Sequence, residues 1–360
     1  MGIKNLTKFL SDKFPEVFER GVTFDQYAGK KIAVDTAIFM CKFKASNQDA
    51  WLDSFASLIA WFRAANVQPI FIMDSGSPPE KAVEKKKRAE SRQRQIDAAD
   101  RLERDIAQYE ADGTVSDEMR LIYDKEVKRA GPDRNERRRF LLLRAQAPST
   151  AKSALRIGLL KDKLERMRKH LFTVTQKDYD VLKQFLDVLD VHWTMAPDEA
   201  EKEGARMVHA GKADAVLSED SDCLVYQTRA FLCKTDMTTK TVRRIDFRVL
   251  LETLDMTAAE FVDFCILCGT DYNPNMRGIG VCKAFDLIKQ WKSIDALPDK
   301  YNTAVLNHVI VRKLFAVDVP DTLSELSTAE EKESKKIDKN QVAAFLFKHN
   351  MRTSVDVFFD

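Results

Sequence analysis

The chain has 360 residues, 58 Lys+Arg against 56 Asp+Glu, and an apolar fraction of 44%. That is enough chain for one elaborated α/β domain or two smaller units, with the composition of a soluble globular protein. No apolar run reaches the length of a membrane span, the N-terminus does not resemble a secretory signal, and Leu6 stands where a myristoylation signal requires Ser or Thr. Six cysteines are scattered, and the pair Cys265 and Cys268, although spaced as CxxC, lies in the apolar run FVDFCILCG and reads as reduced core thiols.

The near-neutral balance conceals an asymmetry. Residues 81–169 hold 25 Lys+Arg and 16 Asp+Glu, a net +9, while the remainder nets −7. A basic segment beside an acidic body suits a polyanion held by one part and cations held by the other, although a solvated pair of charged helices has the same signature.

In chain order, MGIKNLTKFL opens the sequence, and Met1 before a small Gly2 is normally removed to leave a glycine amine. Lys31 to Asp35 reads as a first buried strand, residues 36–66 carry apolar positions at helical spacing, and Pro69 to Asp74 reads as a second strand. Strands alternating with helices argue for an α/β fold with a mainly parallel central sheet. The stretch from Lys81 to Gly113 is a strong helix former with almost no core stripe, and it places Lys81 and Arg88 seven apart, on one helical face. A second charged region runs from Ser116 to about Lys169, with breaks at Gly131–Pro132 and Pro148 and a basic run Arg137–Arg139. Since 125 positions separate Asp74 from Glu199, far more than a crossover requires, this region reads as a helical insertion between the second and third strands. Val191 to Met195 and Ala213 to Leu217 are the next strand candidates, followed by a hairpin-like stretch, a helix ending at Gly269, and the turn Arg277-Gly278-Ile279-Gly280 opening a helix through Lys283. A Gly-x-Gly turn before a helix presents backbone N–H groups to an anion, typically a DNA phosphate.

The chemistry concentrates in residues 196–224, with two carboxylate pairs, Glu199/Glu201 and Asp220/Asp222, each separated by one residue. Asp35 and Asp74 end their strands, and open α/β sheets bind ligands at the carboxyl ends of strands. Six carboxylates at one sheet edge repel each other severely unless cations lie among them, and Asp271 adds a seventh. Oxygen donors without a His or Cys set favour Mg²⁺ or Mn²⁺ over zinc.

These pieces together, MGIKNLTKFL, IAVDTAIFM, IFIMDSGSPPEK, APDEAEKEGARMVHAGKADAVLSEDSDCL and FVDFCILCGTDYNPNMRGIGVCKA, resemble the flap endonuclease family of structure-specific 5′ nucleases, in the family's order and across roughly residues 1–290. The resemblance implies a PIN-like nuclease core with a helical arch and a helix-two-turn-helix DNA-binding element. It divides the chain into an N-terminal nuclease region (1–79), the basic arch (80–170), an internal nuclease region (171–260), the helix-two-turn-helix region (261–330) and a C-terminal segment (331–360). It implies two Mg²⁺ (or Mn²⁺) held by Asp35, Asp74, Glu199, Glu201, Asp220, Asp222 and Asp271, with the first four serving one ion and the last three the other. Lys81 and Arg88 become gateway cations that act on the phosphate, Lys87 joins them on DNA, Gly2 lies near the active site, and Arg277, Gly278, Gly280 and Lys283 grip the duplex with K⁺. The expected activity is Mg²⁺-dependent 5′ flap endonuclease and 5′ exonuclease cleavage of flapped, nicked or branched DNA in replication, repair or recombination. The expected protein is a monomer at an intracellular site of DNA replication such as the nucleus, neither secreted nor membrane-bound. A 5′ exonuclease, a Holliday-junction or bubble nuclease, and a non-catalytic junction-binding protein remain as alternatives.

The sequence also departs from the family. Cys41 stands where cellular members carry a tyrosine six residues after the first active-site Asp; Phe39 and Phe43 could substitute but fit the core better. The stretch KFKASNQDAW lacks the acidic segment associated with a 3′ flap. Phe358–Phe359 resemble the end of a sliding-clamp peptide, with Arg352 where glutamine is expected, and QVAAFLF from Gln341 fits no better; either reads equally as a core helix.

Overall fold

The computed structural model describes residues 2–76, 78–130, 156–169, 171–317 and 337–359, so Gly131–Pro132, Arg137–Arg139 and Pro148 lie outside the described residues. The chain divides into two compact units, residues 1–84 with 174–360, and residues 85–173.

The first unit is built on a sheet of seven strands among the described residues: β1 (Glu19–Val22), β2 (Lys31–Asp35), β3 (Gln68–Asp74), β4 (His192–Ala196), β5 (Ala215–Leu217), β6 (Ala230–Asp236) and β7 (Thr241–Asp246). Their order is β1-β7-β6-β5-β2-β3-β4. The pairs from β6 through β4 are parallel, while β7 is antiparallel to both β6 and β1. The sheet is therefore mixed, with a parallel majority, and the hairpin-like stretch is the β6–β7 pair. Strand β1 carries no apolar alternation that would have marked it, since Glu19, Arg20 and Gly21 are exposed.

Period-two alternation sends the parallel strands' side chains to opposite faces. Ala33, Ile70, Ile72 and Val216 enter one hydrophobic cluster, and Ile32, Val34, Phe71, Met73, Ala215 and Leu217 enter the other. Helices α1 (Leu6–Lys13), α2 (Thr36–Ser46) and α3 (Trp51–Ala64) precede the second unit. Phe39 and Phe43 of α2 are buried in the second cluster, so they are core residues. After the second unit come α7 (Gln176–Val188), α8 (Ala200–His209), α9 (Asp222–Val225), α10 (Phe247–Leu254), α11 (Ala258–Cys268), α12 (Val281–Trp291), α13 (His308–Phe315) and α14 (Lys339–Lys348). Helix α8 lies close on the sheet because Gly204 has no side chain; a Cβ there would meet the Val216 methyls at 3.1 and 3.2 Å.

The C-terminal segment is part of this unit's core. Phe345 of α14 stacks on Phe185 with ring centroids 5.1 Å apart, and Phe358 is buried with its ring edge-on to Phe185 at 6.1 Å. Arg63 secures the end by donating to the Phe358 carbonyl at 3.0 Å.

The second unit is helical: α4 (Ala82–Asp112, beginning in the first unit), α5 (Asp117–Ala130) and α6 (Ile157–Lys169). The expectation of almost no core stripe holds only for its first half. Ala99, Leu102 and Ile106 are buried, and Leu102 and Ile106 pack with Met119 and Leu160 in a small separate core. Arg92 donates to the Leu171 and Phe172 carbonyls at 2.8 and 2.6 Å, pinning the unit's C-terminal end. Among the described residues, no helix is long and apolar enough to cross a membrane.

Candidate active site

The sheet changes direction between β2 and β5: the chain moves from β2 to β3 and β4 on one side, and from β5 to β6 on the other. Such a switch point opens a crevice at the carboxyl ends of the strands. Asp35 closes β2 there and caps α2, accepting from the Ile38 N–H at 3.2 Å. Ser218, just past β5, spans the crevice: its Oγ donates to Asp35 Oδ2 at 2.7 Å and accepts from the Asp220 N–H at 3.0 Å. Asp74 ends β3 and accepts from the Ala200 N–H at 2.8 Å, which ties it to the N-terminus of α8, where a carboxylate is favoured by the helix dipole. Glu199 is the residue before α8 and Glu201 lies in its first turn. Asp222 opens α9 and donates its N–H to Asp220 Oδ1 at 3.0 Å.

The electrostatics show what this crowding does. Burial first, then the charges of Asp74 and Asp220, raise the Asp35 carboxyl to about 7, against the lowering effect of the Ser218 bond. Burial and then Asp35, Asp220 and Asp74 push Glu201 well up. Burial followed by Asp220 does the same to Asp222, while Asp220 is raised by burial against the Asp222 N–H bond. Lys81 answers part of this negative charge. Its Nζ lies 2.5 Å from Glu199 Oε1 and 3.6 Å from Asp271 Oδ2, and 5.0 Å from the centroid of the Tyr272 ring. Burial opposes its charge, but Glu199 and Asp222 outweigh that and raise its pKa.

Glu199 and Glu201 face different neighbours. Asp35, Asp220 and Asp74 act on Glu201, whereas Glu199 meets Lys81 together with Asp271 and acts on Asp222; Asp220 stands near both groups, since it acts on Asp222 and itself feels Asp271. Glu199 and Glu201 are two apart at a helix start, a spacing that turns them to different sides, so adjacency in sequence is a poor guide to a shared ion.

Gly2 reaches the same place. With φ +79°, it seats against the acidic loop so closely that a Cβ would lie 2.0 Å from Asp220 Oδ1 and 2.5 Å from Asp222 Oδ1. The Ile3 N–H bonds to Ser221 Oγ at 3.0 Å, which fixes that approach.

Lys81 ends a 3₁₀ turn, Pro79–Lys81, and α4 starts at Ala82, so the seven-residue spacing to Arg88 does not run along one helix. Lys87 and Arg88 are exposed on α4 within the second unit. The turn between α11 and α12 is anchored by buried Met276 and Ile279, and by Asn275 Nδ2 donating to the Ile279 carbonyl at 3.0 Å. Arg277, Gly278, Gly280 and Lys283 are exposed around it, and Gly278 takes φ +78°.

Three residues here carry no motif signal of their own. Ser218 is a fully buried serine at a strand end, and Tyr226 a fully buried aromatic four residues after Asp222. Tyr179 on α7 has its hydroxyl pushed up by burial and then by the charges of Asp74 and Cys41, so it feels the acidic edge from a distant helix. Only the spacing of Tyr226 from Asp222, one helical turn, was available to flag any of them.

The donor set suits hard divalent cations. It consists of carboxylate oxygens, and the buried Asp222 Oδ1 has no hydrogen-bond partner. As the side chains stand, however, no group of three or more His, Cys, Asp or Glu among the described residues is arranged to hold a metal ion, and the Lys81 ammonium supplies positive charge in the cleft.

Comparison with known proteins bears on the same residues. Residues 1–95 match the XPG N-terminal domain and residues 190–271 the XPG I-region. A probable RAD2-like endonuclease of Invertebrate iridescent virus 3 is 33% identical over 337 residues, covering 88% of this chain and 86% of the relative. The chain belongs to the flap endonuclease superfamily, and it is a nuclease. Among solved structures, the catalytic core of Rad2 in complex with a DNA substrate shares the fold of this superfamily member, with TM-score 0.61 and 16% identity over 97% of this chain and 95% of that one. Flap endonuclease-1 from Methanococcus jannaschii does so with TM-score 0.57 and 20% identity over 96% and 95%.

Proposed function

We propose that this nuclease cuts branched DNA at the base of a 5′ flap, and digests 5′ ends, with two divalent cations bound by Asp35, Asp74, Glu199, Glu201, Asp220, Asp222 and Asp271. The observation that carries this reading is the gathering of these acids at the β2/β5 switch point, with carboxyls driven up by one another and by burial. A set of carboxylates that destabilise each other in isolation is what a pair of cations relieves. When bound, such ions activate a water and neutralise the reacting phosphate and leaving oxygen. Lys81 contributes a permanent positive charge against the phosphate as negative charge develops. Asp35 and the Asp220 backbone are held in mutual register by Ser218, so these two acids are positioned before substrate arrives.

Duplex DNA behind the junction would rest on the exposed turn at Arg277, Gly278, Gly280 and Lys283, through phosphates and not base edges. K⁺ at that turn and phosphate contacts by Lys87 and Arg88 belong to the same reading, as do a monomeric state and action at an intracellular site of DNA replication. A sliding-clamp contact would depend on Phe359, since Phe358 is committed to the core. The test uses a 5′-labelled flap with Mg²⁺, comparing the wild type with Asp220→Asn. Junction cleavage by the wild type alone, with binding retained by the variant, is the expected result. Binding without cleavage by the wild type in either Mg²⁺ or Mn²⁺ would leave a junction-binding protein instead.

A further inference from the structure

Lys81 is backed by a succession of side chains that ends on α13, outside the regions matched to the family. Its Nζ faces Glu199 Oε1 at 2.5 Å. Glu199 Oε2 accepts from Tyr272 Oη at 2.5 Å and from Tyr226 Oη at 3.2 Å, and the two hydroxyls lie 3.1 Å apart. Both oxygens of this carboxylate are therefore engaged within the protein. Behind the tyrosines stands Phe315, the last residue of α13, buried and edge-on to both rings with centroids 5.6 and 5.2 Å away. Helix α13 is itself fixed from several sides. Arg312 donates to both oxygens of Asp263 on α11 at 2.6 Å, and to Asp295 at 2.7 Å. Asp263 is buried and also accepts from the Ile294 N–H at 2.9 Å. A two-pronged guanidinium–carboxylate pair of this kind fixes orientation as well as position. At the C-terminal end of α13, Lys202 Nζ of α8 donates to the Leu314 carbonyl at 3.0 Å. Since α8 begins directly after Glu199, that bond ties the residue beside Phe315 to the helix that carries the carboxylate.

We infer that Phe315 is a positioning residue for cleavage: it wedges Tyr226 and Tyr272 against Glu199, and the fixed carboxylate holds the Lys81 ammonium in place for the reacting phosphate. The inference rests on the reading of Lys81 given above and needs no ion on Glu199. A lysine ammonium is a compact charge on a flexible four-carbon stem, so its partner decides where it sits. A carboxylate anchored through one oxygen by two phenols presents the other oxygen at a set place. Charge aimed at a developing negative charge is effective when it is fixed beforehand and need not reorganise as the reaction proceeds. Phe315 acts through the two rings and takes no part in the charge chemistry itself.

The test is single-turnover cleavage of a 5′-labelled flap at saturating enzyme by wild type, Phe315→Leu, Lys81→Ala and the double variant, with flap affinity measured on each. Phe315→Leu is expected to slow cleavage about ten- to a hundredfold at unchanged affinity, the size of effect that a small misplacement from a distant substitution produces. In the Lys81→Ala background the same substitution should cost almost nothing, because the ammonium it positions is gone. Equal slowing in both backgrounds, or an unchanged rate in Phe315→Leu, overturns the proposal and leaves Phe315 a packing residue. Tyr272→Phe, which keeps the ring and removes only the hydroxyl, supplies the same cycle should Phe315→Leu unfold. If Lys81→Ala cleaves as fast as the wild type, the reading of Lys81 as the cation on the phosphate falls, and this proposal falls with it.

Discussion

The acidic sheet edge and the helical unit of residues 85–173 hold charge in opposite ways. At the edge, Asp35, Glu199, Asp220 and Asp222 are buried; Asp35 accepts from the Ile38 N–H and Ser218, Asp220 from the Asp222 N–H, and Glu199 from tyrosine hydroxyls. In the helical unit the charged side chains are mostly exposed, and many pair with one another, as Arg168 does with Asp100 and Glu103 at 2.6 Å. Among the described residues, a small core with Leu102, Ile106, Met119 and Leu160 at its centre lies between that unit's helices. The difference teaches that the two regions are built for different tasks. Buried carboxylates are strongly repulsive and sterically exact, which suits a reaction centre; exposed pairs are worth little each, which suits a surface whose summed charge attracts a polyanion.

Four experiments would break or sharpen that contrast. Lys81→Ala removes a cation that bridges Glu199 and Asp271, and turnover should fall by roughly 10²–10³-fold. Single-turnover cleavage of a 5′ flap at saturating enzyme measures it, and a loss confined to binding would move Lys81 out of the reaction centre. Gly2→Ala should reduce cleavage by about ten- to a hundredfold, since its Cβ would fall 2.0 Å from Asp220 Oδ1. Near-wild-type cleavage by a chain with a verified N-terminus would show that the loop gives way.

The third experiment concerns pH. Asp35 rises from an ordinary 3.8 to about 7 in the folded chain, so the folded state binds its proton more tightly than the unfolded state does. The contribution is therefore fully present below pH 3.8 and is lost as pH rises through about 7, opposite to the usual salt-bridged aspartate. Without divalent ions, the thermal midpoint should drop between pH 5 and pH 7.5 in the wild type and drop less in Asp35→Asn. Equal slopes would mean that the carboxylates do not repel as their packing implies. The smallest effect belongs to the helical unit: Lys87→Ala should weaken DNA binding evenly across sequences and reduce the log–log salt slope by about one. Fluorescence anisotropy over a salt series reads it, and an unchanged slope would remove Lys87 from the DNA surface.

Much of the sheet edge was legible from residues alone. The strands Lys31–Asp35 and Gln68–Asp74 are apolar runs that each end in an acid, and side-chain periodicity needs no tertiary information to reveal them. β1 was not legible, because a short edge strand exposed at Glu19, Arg20 and Gly21 carries no apolar alternation. The core in the second half of α4 was missed for a related reason: Leu102 and Ile106 are diluted by the sixteen charged residues of that helix, and their partners Met119 and Leu160 come from other helices.

Which residues are acids, that they recur at strand ends, and that a basic segment separates them were properties of the sequence by itself, because composition and period are local. Which acids share a neighbourhood was settled only by the tertiary structure. Glu199 and Glu201 are two positions apart, yet one meets Lys81, Tyr226 and Tyr272 while the other feels Asp35, Asp220 and Asp74. Helix geometry turns such neighbours apart, and the packing of α9, α11 and the sheet brings their partners in from tens of residues away. Ser218 and the two tyrosines owe their roles entirely to that packing, since nothing in a serine or a tyrosine announces which carboxylate it will hold.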